Sequence, residues 1–265
     1  MSCFHPNLMV KGSDGAWHFK GAYTGAIHDG TIILDGKRHF LNAETGEAVE
    51  ANLSDFVLVP CGQCIGCRVA RSRTWANRLM MERAGYPDDQ VWFLTLTYDQ
   101  DHIPLNSSGT AQTLVPRDLQ LFLKRLRDAA GIPGIRFYAA GEYGSRTFRP
   151  HYHMILYGLP ADKLQLEQFG ASEQGFKYFR SRLILKTWPF GFHTITRVDW
   201  NTCAYVARYV TKKLTGEGAA WYKQNDIVPE FARMSRRPGI GRDYFEAHKD
   251  QIMKDDTIFL ADGQP

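Results

Sequence analysis

The sequence predicts an α+β fold, a central antiparallel sheet with helices gathered mainly on one face, close to a ferredoxin-like layout. Two observations lead there. From residue 91 onward, strand-like and helical stretches follow in the order β, α, β, β, α, β, α. The middle pair of strands, Ile135–Glu142 and His151–Tyr157, is joined by the short loop of GEYGSRTFRP, and antiparallel pairing is the simplest arrangement for such neighbours. The 265 residues are 44% hydrophobic and 23% charged, an ordinary globular composition that can bury a core without disulfides. The expected organisation is a β-rich extension over 1–60, a core over 61–214 entered through a cysteine-rich basic helix, and an extension over 215–265 packed on that core.

The elements follow in order. Before residue 60, short β-like runs such as Thr31–Leu34 and Phe56–Val59 are broken by Gly, Asn and Asp turns. Ile65 to Ala84 turns helical, with Val69, Ala76, Leu79 and Met80 on one face. Val91–Tyr98, VWFLTLTY, is a β-branched and aromatic run of strand length. Pro116 opens a helix whose Leu119, Phe122, Leu123 and Leu126 fall at i, i+3, i+4 and i+7, with Gly131 just beyond its end. Asp162 to about Thr187 reads as partly helical, His193–Trp200 as a strand, and Asn201–Leu214 as a helix closed by Thr215-Gly216. The sheet face opposite the helices is left for substrate. After residue 215, Trp221, Tyr222, Phe231, Tyr244 and Phe245 make the chain too aromatic for a disordered tail.

No run approaches the roughly 18 apolar residues that span a bilayer. The start, MSCFHPNLMV, is too polar for a secretory signal. Five cysteines, three of them clustered at Cys61, Cys64 and Cys67, suit a reducing compartment and a cytoplasmic protein. A net charge of +4 does not identify a partner, but its distribution is informative. Arg68, Arg71, Arg73, Arg78 and Arg83 lie close together against one acid, Glu82, a surface suited to phosphates or simply a solvated helix face.

In the strand HYHMILYG, His151 and His153 are two apart, so both imidazoles point to one side of the sheet. Alone, such a pair is more often structural than metal-binding. Glu142, at the end of the preceding strand, is a candidate third ligand, and two imidazoles with one carboxylate leave positions open on a divalent ion. Tyr205 and Tyr209 are i and i+4 on one helix face, with Arg208 and Lys212 extending that side and Lys213 adjacent. Tyrosines at this spacing are usually core; beside cations, they are also candidate nucleophiles. Cys61, Cys64 and Cys67, with Cys3 as a fourth thiol, could close a structural zinc site, hold an iron–sulfur cluster, or remain free thiols.

These features together resemble the HUH endonuclease superfamily, and specifically the replication initiation proteins of small single-stranded DNA phages, the microviruses and their gokushovirus branch. The resemblance rests on FLTLTY at 93–98, GEYG…RPHYHMILYG, YVARYVTKK at 205–213, PCGQCIGCR at 60–68 and RRPGIG at 236–241. It implies an HUH core and a rolling-circle initiator that nicks single-stranded viral origin DNA through a 5′-phosphotyrosine and later closes the circle. It further implies His151, His153 and Glu142 as ligands of Mg2+ or Mn2+, and Tyr205 and Tyr209 as nucleophiles, assisted by Arg208 and Lys212. Arg208 stands where a lysine often follows the first tyrosine by three residues. Candidate DNA contacts are Arg68, Arg71, Arg73, Arg78, Arg149 and Lys213, with Arg146, Arg149 and His102 as helpers near the site. The expected partners are origin DNA, a host helicase and a single-strand-binding protein, in the cytoplasm of an infected bacterium. Two rivals remain: a non-catalytic, zinc-stabilised single-stranded DNA-binding protein, and a metal-dependent hydrolase using activated water.

Overall fold

The computed structural model describes residues 3–11, 15–22, 31–34, 37–41, 48–50, 56–173, 175–209 and 216–255. The chain divides into two compact units, Met1–Arg71 and Ser72–Pro265. The first contains two three-stranded sheets. One has the order β2 (Trp17–Ala22), β1 (Asn7–Lys11), β6 (Phe56–Val59) and the other β3 (Thr31–Leu34), β4 (Lys37–Leu41), β5 (Ala48–Glu50). Helix α1 (Ile65–Arg83) begins in this unit and continues into the second.

The second unit is built on a seven-stranded sheet, with pairing antiparallel throughout. Its order is β10 (Leu166–Ala171), β11 (Lys177–Ser181), β12 (Gly191–Arg197), β7 (Val91–Tyr98), β9 (Pro150–Tyr157), β8 (Arg136–Tyr143), β13 (Phe231–Met234). The four central strands, with α2 (Pro116–Ala130) between β7 and β8, and α3 (Ala161–Leu164) and α4 (Arg182–Thr187) between β9 and β12, follow the β-α-β-β-α-β connection of the expected α+β layout.

Strand alternation sorts the side chains into two cores. Trp92, Leu94, Leu96 and Tyr98 of β7, with Tyr152, Met154 and Leu156 of β9, pack against Leu119, Phe122, Leu123 and Leu126 of α2 and Ile184 of α4. The α2 residues are the i, i+3, i+4, i+7 stripe read from the sequence. On the opposite face, Tyr138, Ala140, Ile155 and Tyr157 meet Ala76, Leu79 and Met80 of α1 and Cys203, Val206 and Ala207 of α5 (Trp200–Arg208). Helices therefore cover parts of both faces. The substrate face is not bare as expected, because both of these helices carry apolar stripes that need burial.

The stretch expected to be partly helical between 162 and 187 contains two strands, β10 and β11, besides its short helices. Their residues, LEQFGA and KYFRS, lack a clean apolar alternation because these strands stay largely exposed. The strand expected over His193–Trp200 runs instead over Gly191–Arg197. Asp199 and Thr202 form a capping box that starts α5 at Trp200, one residue before the expected Asn201. That helix's far end falls outside the described residues. After residue 215 come α6 (Ala220–Gln224), the edge strand β13 and α7 (Arg242–Asp255). Among the described residues no helix is long and apolar enough to cross a membrane.

Gly191 opens β12 at φ +148, and a Cβ there would lie 2.3 Å from the amide nitrogen of Asp99 and 2.5 Å from the carbonyl oxygen of Thr97. Only glycine allows the strand to approach β7 this closely.

Candidate metal and tyrosine site

Pairing across the sheet assembles the three expected ligands. Glu142 of β8 stands opposite His151 of β9, and Thr95 of β7 stands opposite His153. The two histidines share a face because they are two residues apart on one strand. Glu142 Oε1 lies 2.9 Å from His153 Nε2 and 3.3 Å from His151 Nε2. Neighbouring oxygen and nitrogen ligands on an octahedral ion, each about 2.1 Å from the metal, sit about 3.0 Å apart. The donors are thus spaced to close on a divalent cation without moving the backbone.

The surroundings fit such an ion. Glu142 is 3% exposed and His153 6%, and a carboxylate so buried requires compensating charge or donors. His153 Nδ1 lies 3.0 Å from Thr95 Oγ1. With Nδ1–H donating to that hydroxyl, the Nε2 lone pair is directed at Glu142 and any shared cation. His151 Nδ1 is buried with no hydrogen-bond partner, so this imidazole's polar engagement is on its Nε2 side. Phe93, two residues before Thr95, stacks on the His153 ring at 5.8 Å.

Helix α5 brings the tyrosines to the same place. Its buried stripe lies on β8 and β9, and the i, i+4 pair is carried over His153. The Tyr209 ring stacks on His153 at 4.8 Å and 7°, Tyr205 meets it edge-on at 5.3 Å, and the two phenols are 4.9 Å apart. Their exposures differ sharply, 41% for Tyr205 and 4% for Tyr209. Burial, the Tyr205 hydroxyl and the Glu142 charge push the Tyr209 phenol well above the usual range for tyrosine. Arg208 is exposed on α5, three residues after Tyr205. Lys212 and Lys213 lie outside the described residues.

The other expected contacts divide. Arg71 and Arg73 are exposed and Arg68 is half-buried. Arg78 donates from Nε to the Ile240 carbonyl at 3.1 Å and lies over Trp75. Arg149 is turned to the Tyr98 carbonyl at 2.8 Å and to Gln100 at 2.9 Å. Arg146 is exposed, and His102 lies 2.7 Å from Asp99 Oδ1. Glu82 is buried, bonded to Arg136 at 2.5 Å and to the Gly241 amide at 2.7 Å, which fastens the RRPGIG turn to α1.

Thr95, Phe93 and Phe192 went unread in the sequence. The signal for Thr95 was present, because the threonines of VWFLTLTY all fall on one side of a strand whose other side is wholly apolar. Phe192 pairs with Thr97, which pairs with His151, so this ring shares the histidine face two strands away. It is 65% exposed and lines a surface groove with Phe169, Arg180 and Arg182. The thiols of Cys3, Cys61, Cys64 and Cys67 form a second cluster, in the first unit, with sulfurs all within 4.8 Å of one another.

Residues 91–214 match the family model of the replication-associated protein ORF2. The chain is 39% identical over 206 residues to the replication-associated protein ORF2 of Spiroplasma virus 4, across 77% of this chain and 62% of that protein. It is 28% identical over 230 residues to replication-associated protein VP4 of Bdellovibrio phage phiMH2K, across 83% of this chain and 67% of that protein. Against replication-associated protein ORF4 of Chlamydia phage 1 it is 32% identical over 207 residues, across 76% of this chain and 49% of that protein. The chain thus spans about three fifths of the first of these relatives and about half of the last. No solved structure matches.

Proposed function

Because its segment 91–214 belongs to the replication-associated protein ORF2 family, we propose that this chain initiates rolling-circle replication of a small phage genome by nicking and resealing single-stranded origin DNA. The observation that carries this reading is the stacking of both phenols on His153, a member of the three-donor cluster. A divalent ion held by Glu142, His151 and His153, Mg2+ or Mn2+, would supply Lewis-acid polarisation of the scissile phosphate.

Tyr205 is the first nucleophile, since it is the exposed member of the pair. Its phenol must lose a proton; with a pKa near 10, ionisation at pH 7 costs about 4 kcal/mol, which nearby cations must offset. Arg208, and Lys212 and Lys213 beyond it, are placed by the sequence to do so. The phenolate oxygen attacks phosphorus in line, a Tyr–O–P bond forms, the P–O3′ bond breaks, and the departing 3′ oxygen takes up a proton. One strand end becomes a free 3′-OH, which primes synthesis while a host helicase and single-strand-binding protein open the duplex. The other is a 5′-phosphotyrosine. Closure reverses the step: a 3′-OH gives up its proton, attacks the phosphotyrosine and releases the phenol. The number of phosphodiester-type bonds is constant, so no ATP is required. Tyr209, one helical turn away, accepts the strand in a second transfer. Single-stranded DNA is held by base stacking on exposed Phe192 and by Arg73, Arg180 and Arg182 at phosphates.

The test is a nicking assay on single-stranded origin DNA with Mn2+. Glu142→Gln and His153→Ala should each lower cleavage at least 100-fold while DNA binding persists. Binding without any cleavage by the unaltered chain would favour the zinc-stabilised binding protein. Cleavage that leaves a free 5′ end would favour a hydrolase.

A further inference from the structure

We propose that Cys3, Cys61, Cys64 and Cys67 bind one zinc ion as a closed, structural tetrathiolate site. The four sulfurs lie within 4.8 Å of one another, with Cys3 and Cys64 at 3.7 Å and Cys61 and Cys67 at 3.9 Å. Bonded sulfurs would be about 2.05 Å apart, so these are not disulfides. A tetrahedron with Zn–S bonds of about 2.3 Å has edges of about 3.8 Å, which is the spacing found. The inorganic core of an iron–sulfur cluster would sit between the thiolates and spread them wider than this.

The backbone supports thiolates rather than thiols. Amides of Phe4 and Cys67 are directed at Cys64 Sγ, those of Gln63 and Cys64 at Cys61 Sγ, and that of Cys61 at Cys3 Sγ, all at 3.3–3.5 Å. N–H groups aimed at sulfur stabilise negative charge there. Gly62, at φ +76, allows the turn that points two successive amides back at Cys61. Cys3, Cys61 and Cys64 are half-buried, so simple apolar packing does not explain the gathering of four thiols.

Topology brings the two distant ligands together. Strands β1 and β6 are antiparallel and end with Asn7 opposite Val59. Cys3 precedes that end and Cys61 follows it, 58 residues away in the chain. Cys67 lies in the first turn of α1. The ion therefore ties the amino-terminal residues, the β1–β6 ladder and the start of α1. Four protein ligands leave no position for substrate, which marks the site as structural. This inference does not depend on the nicking reaction.

Elemental analysis of the purified chain should find one zinc per molecule, and X-ray absorption should find four sulfur neighbours. Native alkylation should modify none of these thiols when zinc is bound and four after chelation; Cys203, buried in α5, stays unmodified in both. The triple variant Glu142→Gln, His151→Ala, His153→Ala should retain the zinc, and Cys61→Ser with Cys64→Ser should lose it. A chain without zinc, one holding iron instead, or zinc with nitrogen or oxygen neighbours would overturn the proposal. These readouts on the unaltered chain stand even if the cysteine variant fails to fold.

Discussion

One oxygen of Glu142 reaches both imidazoles, and Thr95 fixes which nitrogen of His153 faces it. Replacing Thr95 with valine keeps the shape and removes the hydroxyl. Affinity for Mn2+ should then fall 10- to 100-fold, read as a rightward shift of the metal titration of nicking; an unchanged titration would show that the hydroxyl plays no part. A different residue governs the acid limit of stability. His193 is buried, accepts the Ser181 amide at 2.9 Å, and is pushed down to about 4 by burial and by Arg180. Its folded-state pKa lies below the free value of about 6.5, so the unfolded chain binds the extra proton first. The neutral ring's contribution, at most about 3 kcal/mol, is complete above pH 6.5 and lost as the pH falls towards 4. Denaturant unfolding at pH 7 and pH 4.5 should show this loss, reduced in His193→Gln. His151, His153, Glu142 and both tyrosines were legible in the sequence because period-2 and i, i+4 spacing fix shared faces. Thr95 and Phe192 were not, because their roles arise from partners across neighbouring strands.

At the level of elements, α5 is the part on which the proposed chemistry depends most. It is short in the described residues, and it is held by the Asp199–Thr202 capping box at one end and the stripe Cys203, Val206, Ala207 on β8 and β9. Asp199→Ala removes the acceptor for the Thr202 amide and should cost about 1 kcal/mol. Because the lost cap frays the helix that aims Tyr205, nicking should fall by more than global stability does; comparing kcat with the unfolding midpoint checks this. Val91–Tyr98 and Pro116–Ala130 were read to the residue, since a fully buried strand face and a Pro-to-Gly helix with a full apolar stripe leave little ambiguity. Strands β10, β11 and β13 were missed because each is short, lies at or near a sheet edge and has little of its surface buried.

Across the second unit, an antiparallel sheet separates two tasks. One face, with α2 and α4, is packed for stability. The other carries Glu142, His151 and His153 beside α5, and Phe192 further along the same surface. The α+β class was legible because the β, α, β, β, α, β order leaves few ways to pair the strands. The helices on the second face were foreseeable as helices but not in position, since an apolar stripe says that a surface is buried and not against what. The central claim is a covalent bond between DNA and one of two tyrosines. Its most direct test is a denaturing gel of the chain incubated with single-stranded origin DNA and Mn2+, followed by mass spectrometry of the DNA-linked peptide. The account predicts an adduct on Tyr205, weakened in Tyr205→Phe and absent in the Tyr205→Phe, Tyr209→Phe double variant. Full nicking by that double variant, or cleavage with no protein–DNA adduct, would contradict it.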